Sequence, residues 1–542
     1  MTLDDVGLRR VPRREVVIGA SLTAVAAGLL LALGPAPGDA PAHLYRTWLV
    51  RHGALLWDNQ WYAGHYPLAS YSLLYYLPAA LIGNLPLVVG SAIASTALFV
   101  AIGFHEWGPL ARWPTRAFGV LAAAPLFTGL YSYSLGFATL LGALRVLQRG
   151  RTWAAIGLAA LTLGFSPLAF VFLCLILLAV VAAKRRITVQ ALALFAALLA
   201  IAGIELATLI LFPEKGTYPF SPVDLAAVLG VCALGALLAR RGESGRILTA
   251  FFVVWGAGSV VAYLVPTSVG DNWTRLRSFV FPLMLIAAAQ ARFRPRPLAV
   301  VAVSTALLYN LVPYLMLVPY RLDGRPAHSS FWRPAIGFLA RHPDPNYRVE
   351  VVPTAAHWES YWLPRAGFAL ARGWYRQIDV TTNPVLYRHH LAAAAYRAWL
   401  QRMGVRYVLL PSTRLDPVGG PAEARLLRSG SVGLERVFVS PTWTIYRLAD
   451  TSPLLTGPAA ARISRLGHDA IAGAVTGAGR YTLKVRFNPY WRSEPAGLCI
   501  RKAAGGMTAI TFPKAERFAL RAPHSMDSVL DSLGSATRSR HC

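Results

Sequence analysis

Long apolar runs between residues 16 and 319 constrain this chain more than any other feature of its sequence. Such runs need lipid as their solvent, because a helix of about 20 apolar residues spans the hydrocarbon core of a bilayer. Composition agrees, since charged residues make up 14% of the 542 residues, against about 25% in a typical soluble domain. We therefore predict a polytopic α-helical membrane protein, not the several soluble domains that the length alone would suggest.

Charged residues and Pro or Gly residues divide the apolar region into about eleven predicted spans. The first follows four arginines and resembles a signal peptide, but no clear cleavage site comes after it, so we predict an uncleaved helix. The stretch 117–165 has the shortest breaks and is the least regular part of the pattern. The predicted spans are 16–34, 84–104, 117–131, 133–148, 152–165, 167–183, 187–212, 222–239, 247–265, 277–291 and 298–319.

Basic residues in the short loops predict the orientation of these spans. If residues 1–15 are cytoplasmic, the inner loops carry eighteen Lys and Arg residues and the outer loops carry five. Positive loops stay on the cytoplasmic side, so the asymmetry predicts a cytoplasmic N-terminus for the transmembrane domain 16–320. An odd number of spans then places everything from residue 321 outside, together with a long first outer loop, 35–83. Within that loop, tyrosines predict a helix over 67–83 that lies at the membrane interface.

The C-terminal region alternates strand and helix patterns. We predict an α/β domain over 321–454, a β-rich domain over 455–522 and a mobile tail over 523–542. Strands are expected at 347–352, 405–410, 442–448, 481–487 and 507–512, with a helix at 391–403.

The net charge of +28 would suggest nucleic acid as the partner of a soluble protein. Residues 321–542 alone carry 30 Lys and Arg against 14 Asp and Glu. Two interpretations stay open: contact with anionic headgroups, lipid phosphates or an anionic polymer, or a GC-rich genome that encodes Arg freely. We expect contact with the lipid bilayer and no nucleic acid. Cys499 and Cys542 are a candidate disulfide if this region lies in an oxidising compartment.

Few acidic residues lie on the predicted outer side, so each can be weighed. Asp39 comes just after the first span and is followed by His43 and Arg46 on a predicted helix. One interpretation is an N-cap, because an Asp side chain accepts the free amides of a first helical turn. The other is a surface cavity in which a carboxylate deprotonates a hydroxyl and an Arg holds a phosphate. The two interpretations are compatible.

Two further outer loops contain candidate binding residues. Asp58, Trp61 and His65 lie in an aromatic segment that is typical either of a membrane interface or of sugar stacking. Another loop has Asp271, Arg275 and Arg277 at the start of a predicted helix, where they would grip an anionic headgroup or anchor the end of a span.

The arrangement of an Asp after the first helix, a long outer loop and an outer C-terminal domain resembles the GT-C superfamily of glycosyltransferases. The segments Gly38–Arg46, Trp61–Pro67, His357–Asp379 and Asn488–Trp491 resemble an uncharacterised group of bacterial membrane proteins whose domain label refers to 6-pyruvoyl-tetrahydropterin synthase. That label fits membrane-embedded chemistry poorly. The resemblance covers nearly the whole chain.

The resemblance implies an enzyme that moves a sugar from a polyprenyl-phosphate donor to a cell-envelope glycan outside the cytoplasm. Asp39 would be the general base, and Arg275 or Arg46 would hold the departing phosphate. A dense polar set is either the acceptor-binding surface or a well-bonded polar core; it comprises His357, Glu359, Arg372, Trp374, Arg376, Gln377 and Asp379.

Two other classes of protein stay open. Glu205 inside a predicted span favours a transporter of an envelope precursor, and a non-catalytic envelope scaffold is the third hypothesis. His357 and Glu359 alone are too few ligands to predict a metal site. The requirement for a divalent metal or another cofactor is therefore left open.

Overall fold

The fold comes from a computed structural model that describes residues 11–522 except 70, 185–187, 215, 241–242 and 389. These residues form two compact units. The first contains the described residues up to Ala40 and those of Tyr71–Pro213 and Thr217–Pro319. The second contains those of Pro41–Ser70 and Glu214–Gly216 and those from Tyr320 onward. The proposed tail 523–542, and with it Cys542, lies outside the described residues.

The first unit is helical, as its apolar sequence predicts. Among its described residues, six helical segments are long and apolar enough to cross a membrane, and two shorter apolar helices lie at Thr152–Phe165 and Pro222–Leu238. Apolar helices of this length indicate a membrane-associated protein. The helices α1 to α14, of which all but α2 belong to this unit, are Arg13–Leu33, Ala40–Arg51, Tyr76–Ile82, Asn84–Trp107, Arg112–Leu121, Ala124–Thr128, Tyr131–Gln148, Thr152–Phe165, Pro167–Lys184, Val189–Leu211, Pro222–Leu238, Glu243–Leu264, Arg277–Gln290 and Arg296–Arg321.

Ten of the eleven predicted spans coincide with one helix each, whereas 117–131 does not. There α5 ends at Leu121 and the short helix α6 begins at Ala124. Pro125 explains the break, because proline cannot donate the backbone hydrogen bond that a continuous helix needs. The predicted interfacial helix 67–83 is also shorter than expected, since only Tyr76–Ile82 is helical. The number of membrane crossings stays a prediction.

Small residues let three helices of the first unit approach closely. A Cβ atom on Gly119 of α5 would lie 2.9 Å from the carbonyl oxygen of Gly19 on α1. Beside this contact, the Thr23 hydroxyl lies 2.8 Å from the Thr96 hydroxyl of α4 and donates to the Gly119 carbonyl at 2.7 Å. Small residues and interhelical hydrogen bonds hold helices together where lipid gives no hydrophobic drive. This crossing fixes the first helix within the bundle.

The second unit has a mixed sheet followed by a pair of antiparallel sheets. In the mixed sheet, β1 is parallel to β2, and the order is β1-β2-β4-β3. The later strands form sheets in the orders β10-β11-β8-β5 and β6-β7-β12-β9. Strands β1 to β12 are Arg348–Val351, Val405–Pro411, Glu435–Val439, Trp443–Arg447, Leu455–Thr456, Ala461–Leu466, Ala470–Val475, Gly479–Arg486, Arg492–Glu494, Cys499–Lys502, Met507–Phe512 and Glu516–Arg521, and helices α15 to α19 are Ser329–Arg341, Glu359–Arg365, Arg376–Thr382, Ala393–Met403 and Gly420–Ser429.

The predicted strands and the helix at 391–403 all appear in the structure with bounds shifted by a few residues at most. The two later sheets face each other, because Phe512 of β11 contacts Phe518 of β12 with ring centroids 5.1 Å apart. They therefore form a small sandwich of the kind in which inward side chains make the core. Cys499, on β10, is disulfide-bonded.

Part of the first predicted loop belongs to the second unit, which the sequence did not predict. The Leu370 amide donates to the Gln60 carbonyl at 2.8 Å, and the Asn59 amide donates to the His468 carbonyl at 2.7 Å. The Arg486 amide donates to the carbonyl of Ala63, at 2.7 Å. Residues 41–70 are thus built into the same fold as the C-terminal region, and the three bonds join residues 310, 409 and 423 positions apart in the chain.

Candidate functional site

The end of the short helix α6 holds the backbone of Asp39. Helix α2 begins at Ala40, so Asp39 occupies the position before the first helical turn. Its amide donates to the Thr128 carbonyl at 3.0 Å. Gly129, which follows Thr128 at the end of α6, has φ of +86°, and a Cβ atom there would lie 2.4 Å from the Ala40 nitrogen. Only glycine therefore allows the backbone of residue 129 to come this close to Ala40. This contact fixes the backbone position of Asp39.

Asp39 and Arg275, two of the candidates, meet in the first unit. Oδ2 of Asp39 lies 3.9 Å from Nη2 of Arg275, and each side chain is about a fifth exposed, at 22% and 21%. Nη1 of Arg275 donates to the Tyr71 hydroxyl at 3.4 Å. Burial alone would lower the pKa of Arg275, but Tyr71 and Asp39 outweigh burial and raise it. The site therefore combines a reachable carboxylate with a guanidinium that stays charged.

Arg277 and Asp271 flank this pair on the 3-10 helix Gly270–Leu276 and at the start of α13. Arg277 donates to the Thr274 carbonyl at 3.1 Å, and its guanidinium carbon lies 5.5 Å from the centre of the Tyr309 ring. Burial, aided by Asp224, raises the pKa of Asp271 to about 6. Arg277 is thus engaged within the unit, whereas burial makes Asp271 a weaker acid than an exposed carboxyl.

The candidates of the first loop lie in the second unit and are buried there. His43, Arg46, Trp61, Asp58 and His65 are each 0% exposed. The Arg46 guanidinium lies over the Tyr375 ring at 4.4 Å, and Trp61 donates to the Ser360 carbonyl at 3.1 Å. Of the two arginines proposed to hold a phosphate, the accessible one is therefore Arg275. The burial of the loop residues favours a role in joining the loop to its unit.

Asp58 is the centre of a hydrogen-bond cluster that includes a histidine the sequence did not single out. It accepts from the Tyr45 hydroxyl at 3.1 Å and lies 3.1 Å from Nδ1 of His468, 410 residues away. His65 lies 3.6 Å from the same carboxylate, but burial lowers the pKa of His65 to about 3, so this imidazole is neutral. No local pattern near His468 marks it, because the pairing arises only when the two segments fold together.

The dense polar set of the α/β region forms a buried ion-pair network. Arg372 pairs with Glu350 and with Glu423, the latter at 2.7 Å. Arg376 donates to both oxygens of Asp416 at 2.8 and 2.6 Å. Nδ1 of His357 lies 3.2 Å from Glu359, and the His357 ring stacks on Trp374. Asp379 lies 3.9 Å from Arg372, and Gln377 is half-buried.

Electrostatics of this network favour the structural interpretation over a glycan-binding surface. Burial would raise the pKa of Asp416, but Arg376 outweighs burial and lowers it to about 2. Burial raises the pKa of Glu350 well above its usual range, and Glu423 adds to the rise although Arg372 opposes it. A cavity lined by residues of this network measures about 10 Å³, which is room for one water molecule. A sugar does not fit there.

The described part of the chain contains no preformed metal site. No group of three or more His, Cys, Asp or Glu side chains among these residues is arranged to hold a metal ion.

Comparison with known proteins adds no family assignment. No protein-family model matches the chain, and no curated protein matches it.

Proposed function

We propose that this chain is a membrane glycosyltransferase that moves a sugar from a polyprenyl-phosphate donor to a cell-envelope acceptor outside the cytoplasm. The observation that carries the proposal is the Asp39–Arg275 pair, 3.9 Å apart and partly exposed. A base and a fixed cation are the two groups that direct displacement of a sugar from a phosphate requires. The resemblance to the GT-C superfamily, which has its Asp at the same point after the first helix, supports the glycosyltransferase proposal.

In this mechanism Asp39 takes the proton of an acceptor hydroxyl as the hydroxyl oxygen attacks the anomeric carbon. The bond from that carbon to the phosphate oxygen breaks, and the electron pair leaves with the polyprenyl phosphate. Arg275 holds the phosphate charge as it develops, since a guanidinium pairs well with phosphate oxygens. Tyr71 orients Arg275 through its hydroxyl. A single displacement of this kind inverts the anomeric centre.

The proposed orientation has a cytoplasmic N-terminus and an extracytoplasmic C-terminal region. The composition of the second unit supports it, because three segments that fold together lie in one compartment. The chain must then cross the membrane an even number of times between residues 70 and 214, and again between 216 and 320. The predicted spans number six and four in these intervals. The count requires α5 and α6 to complete one crossing together.

Glu205 is the observation that favours a second candidate, a transporter. It lies in α10, and its Oε2 is buried with no hydrogen-bond partner among the described residues. Acidic residues inside membrane helices often serve ion or proton pathways. A transporter does not require the Asp39–Arg275 pair, so the enzyme remains the first proposal.

Reconstituted protein separates the three hypotheses. Proteoliposomes would receive a polyprenyl-phosphate sugar labelled in the sugar and an envelope glycan extract as acceptor. A transferase releases polyprenyl phosphate and labels the glycan, with both products dependent on donor. Movement of donor across the bilayer that depends on an ion gradient, without transfer, would select the transporter. Glycan binding with neither activity would select the scaffold.

A further inference from the structure

The second unit contains a cavity of about 150 Å³ that is separate from the buried ion-pair network. It lies where α15 ends, beside the 343–347 loop, the beginnings of β1 and β2 and the turn that follows α16. An apolar cavity of about this size accommodates a benzene-sized ligand. A single sugar ring is of comparable size. The cavity is therefore an order of magnitude larger than the space within the network.

A half-exposed ion pair lines this cavity. Nη1 of Arg406 lies 2.7 Å from Oδ2 of Asp344, and the two side chains are 35% and 29% exposed. The other oxygen, Oδ1 of Asp344, accepts from the amide and the side chain of Asn346 at 3.1 and 2.9 Å. The carboxylate is thus fixed in place by its own loop, while the pair remains open to a hydroxyl-bearing ligand that accepts from Arg406 and donates to Asp344.

Aromatic rings complete the lining. Tyr347, Phe368 and Tyr407 are half-buried around the cavity, not sealed in a core. The Arg406 guanidinium lies over the Tyr347 ring at 4.8 Å, and Phe338 packs edge-on against Tyr407 at 5.4 Å. Rings held in this way present apolar faces at little entropic cost, and their hydroxyl groups add polar contacts. Aromatic faces beside a charged donor–acceptor pair match the alternating apolar and hydroxyl surfaces of a sugar.

We propose that this cavity binds one neutral sugar residue of an envelope glycan. The ring rests against Tyr347, Phe368 and Tyr407, and neighbouring hydroxyls bond to Asp344 and Arg406. The exposed pair has no net charge, and the third charged residue of the lining, Arg348, is fully buried with its guanidinium bonded to backbone carbonyls. A neutral sugar therefore suits the cavity better than an acidic one. The inference deepens the proposed function by giving the acceptor a binding site, and it rests on that function only for the identity of the glycan as an acceptor.

Binding without donor tests the proposal independently of transfer. Full-length protein in nanodiscs would be titrated with methyl glycosides of common neutral hexoses and pentoses and with a methyl uronide, by saturation-transfer NMR. We expect at least one neutral glycoside to bind and the uronide to bind more weakly. Arg406→Gln and Tyr347→Leu should each weaken binding about tenfold or more, equivalent to the loss of about 1.4 kcal/mol.

A matched control lies elsewhere in the same unit. Arg397 pairs with Asp450 at 2.8 Å, similarly exposed but outside the cavity. Arg397→Gln should leave glycoside binding unchanged. The proposal is overturned if no neutral glycoside binds wild-type protein, if the uronide binds best, or if folded Arg406→Gln and Tyr347→Leu proteins bind as wild type does. Binding in the absence of any transfer would instead remove the proposed function and keep this site.

Discussion

Two sets of paired charges, one in each unit, differ in their exposure to solvent. In the helical unit, Asp39 and Arg275 stand 3.9 Å apart and about a fifth exposed. In the second unit, Arg372 is 7% exposed and its partners Glu350 and Glu423 are each 1% exposed. Buried charges are tolerable only when paired and hydrogen-bonded. The Asp39–Arg275 pair is partly exposed and not closely bonded, so of the two sets we propose it as the better candidate for chemistry.

The largest effect expected is an all-or-none difference in labelling by a membrane-impermeant maleimide. With Cys174 and Cys232 replaced by Ala, we expect Arg51→Cys and Ser464→Cys to be labelled in intact cells. Arg151→Cys should be labelled only after permeabilisation, because it lies in a predicted inner loop. The same result at Arg51→Cys and Ser464→Cys is required by their membership of one unit. If Arg51→Cys and Ser464→Cys differ in labelling, the two positions do not belong to one unit. If the labelling of all three variants is inverted, the predicted orientation in the membrane is wrong.

The second prediction concerns the buried network. Arg372→Met would leave Glu423 buried without its counter-charge, at a cost of roughly 3–5 kcal/mol, and would remove the donor that bonds to Glu350. Thermal unfolding of the purified protein, followed by limited proteolysis of the second unit, measures the loss. Arg447→Met is the control, since Arg447 forms a surface pair with Glu435, and its melting should stay near that of wild type. Equal melting of the two variants would contradict the structural role of the network.

A smaller effect is expected from the pH dependence of stability. Burial raises the pKa of Glu350, so the folded state retains a proton that the unfolded chain releases above about pH 4.3. The stability contributed by this group is fully present below that pH and is lost as pH rises through the folded pKa. Glu350→Gln is permanently neutral and lacks this loss. The free energy of unfolding of wild type should therefore fall relative to that of Glu350→Gln from pH 4 to pH 8; an unchanged difference would show that the pKa of Glu350 is not raised in the folded protein.

What the sequence predicts well in this chain is what neighbouring residues determine. Hydropathy predicts most of the long helices because each helix satisfies its own backbone hydrogen bonds. Hydropathy does not predict the break in 117–131, although Pro125 marks it, because the apolar run continues on both sides. The helix start after Asp39 was also predictable from the N-cap pattern.

The rest depends on contacts between distant segments. Nothing near Gln60 or Asn59 indicates that their backbones bond to Leu370 and His468. The sequence therefore assigned the first loop to the membrane region. For the same reason, the density of polar residues over 357–379 leaves a binding surface and a polar core both open. The partners that decide between them, Glu350, Glu423 and Asp416, lie elsewhere in the chain. The pairing of Asp39 with Arg275 joins residues 236 positions apart. The sequence identifies both residues as candidates, but it does not predict that they lie next to each other.

The central claim is that Asp39 acts as a base, and Asp39→Asn tests it most directly. Asn caps a helix about as well as Asp does, so this variant keeps the start of α2 while it removes the basicity. The measurement is donor-dependent glycan transfer in proteoliposomes, with melting temperature recorded on the same sample. We predict a loss of transfer of roughly 10²–10⁴-fold with unchanged melting. Wild-type transfer by a normally folded Asp39→Asn protein would contradict the claim and leave Asp39 as a helix cap.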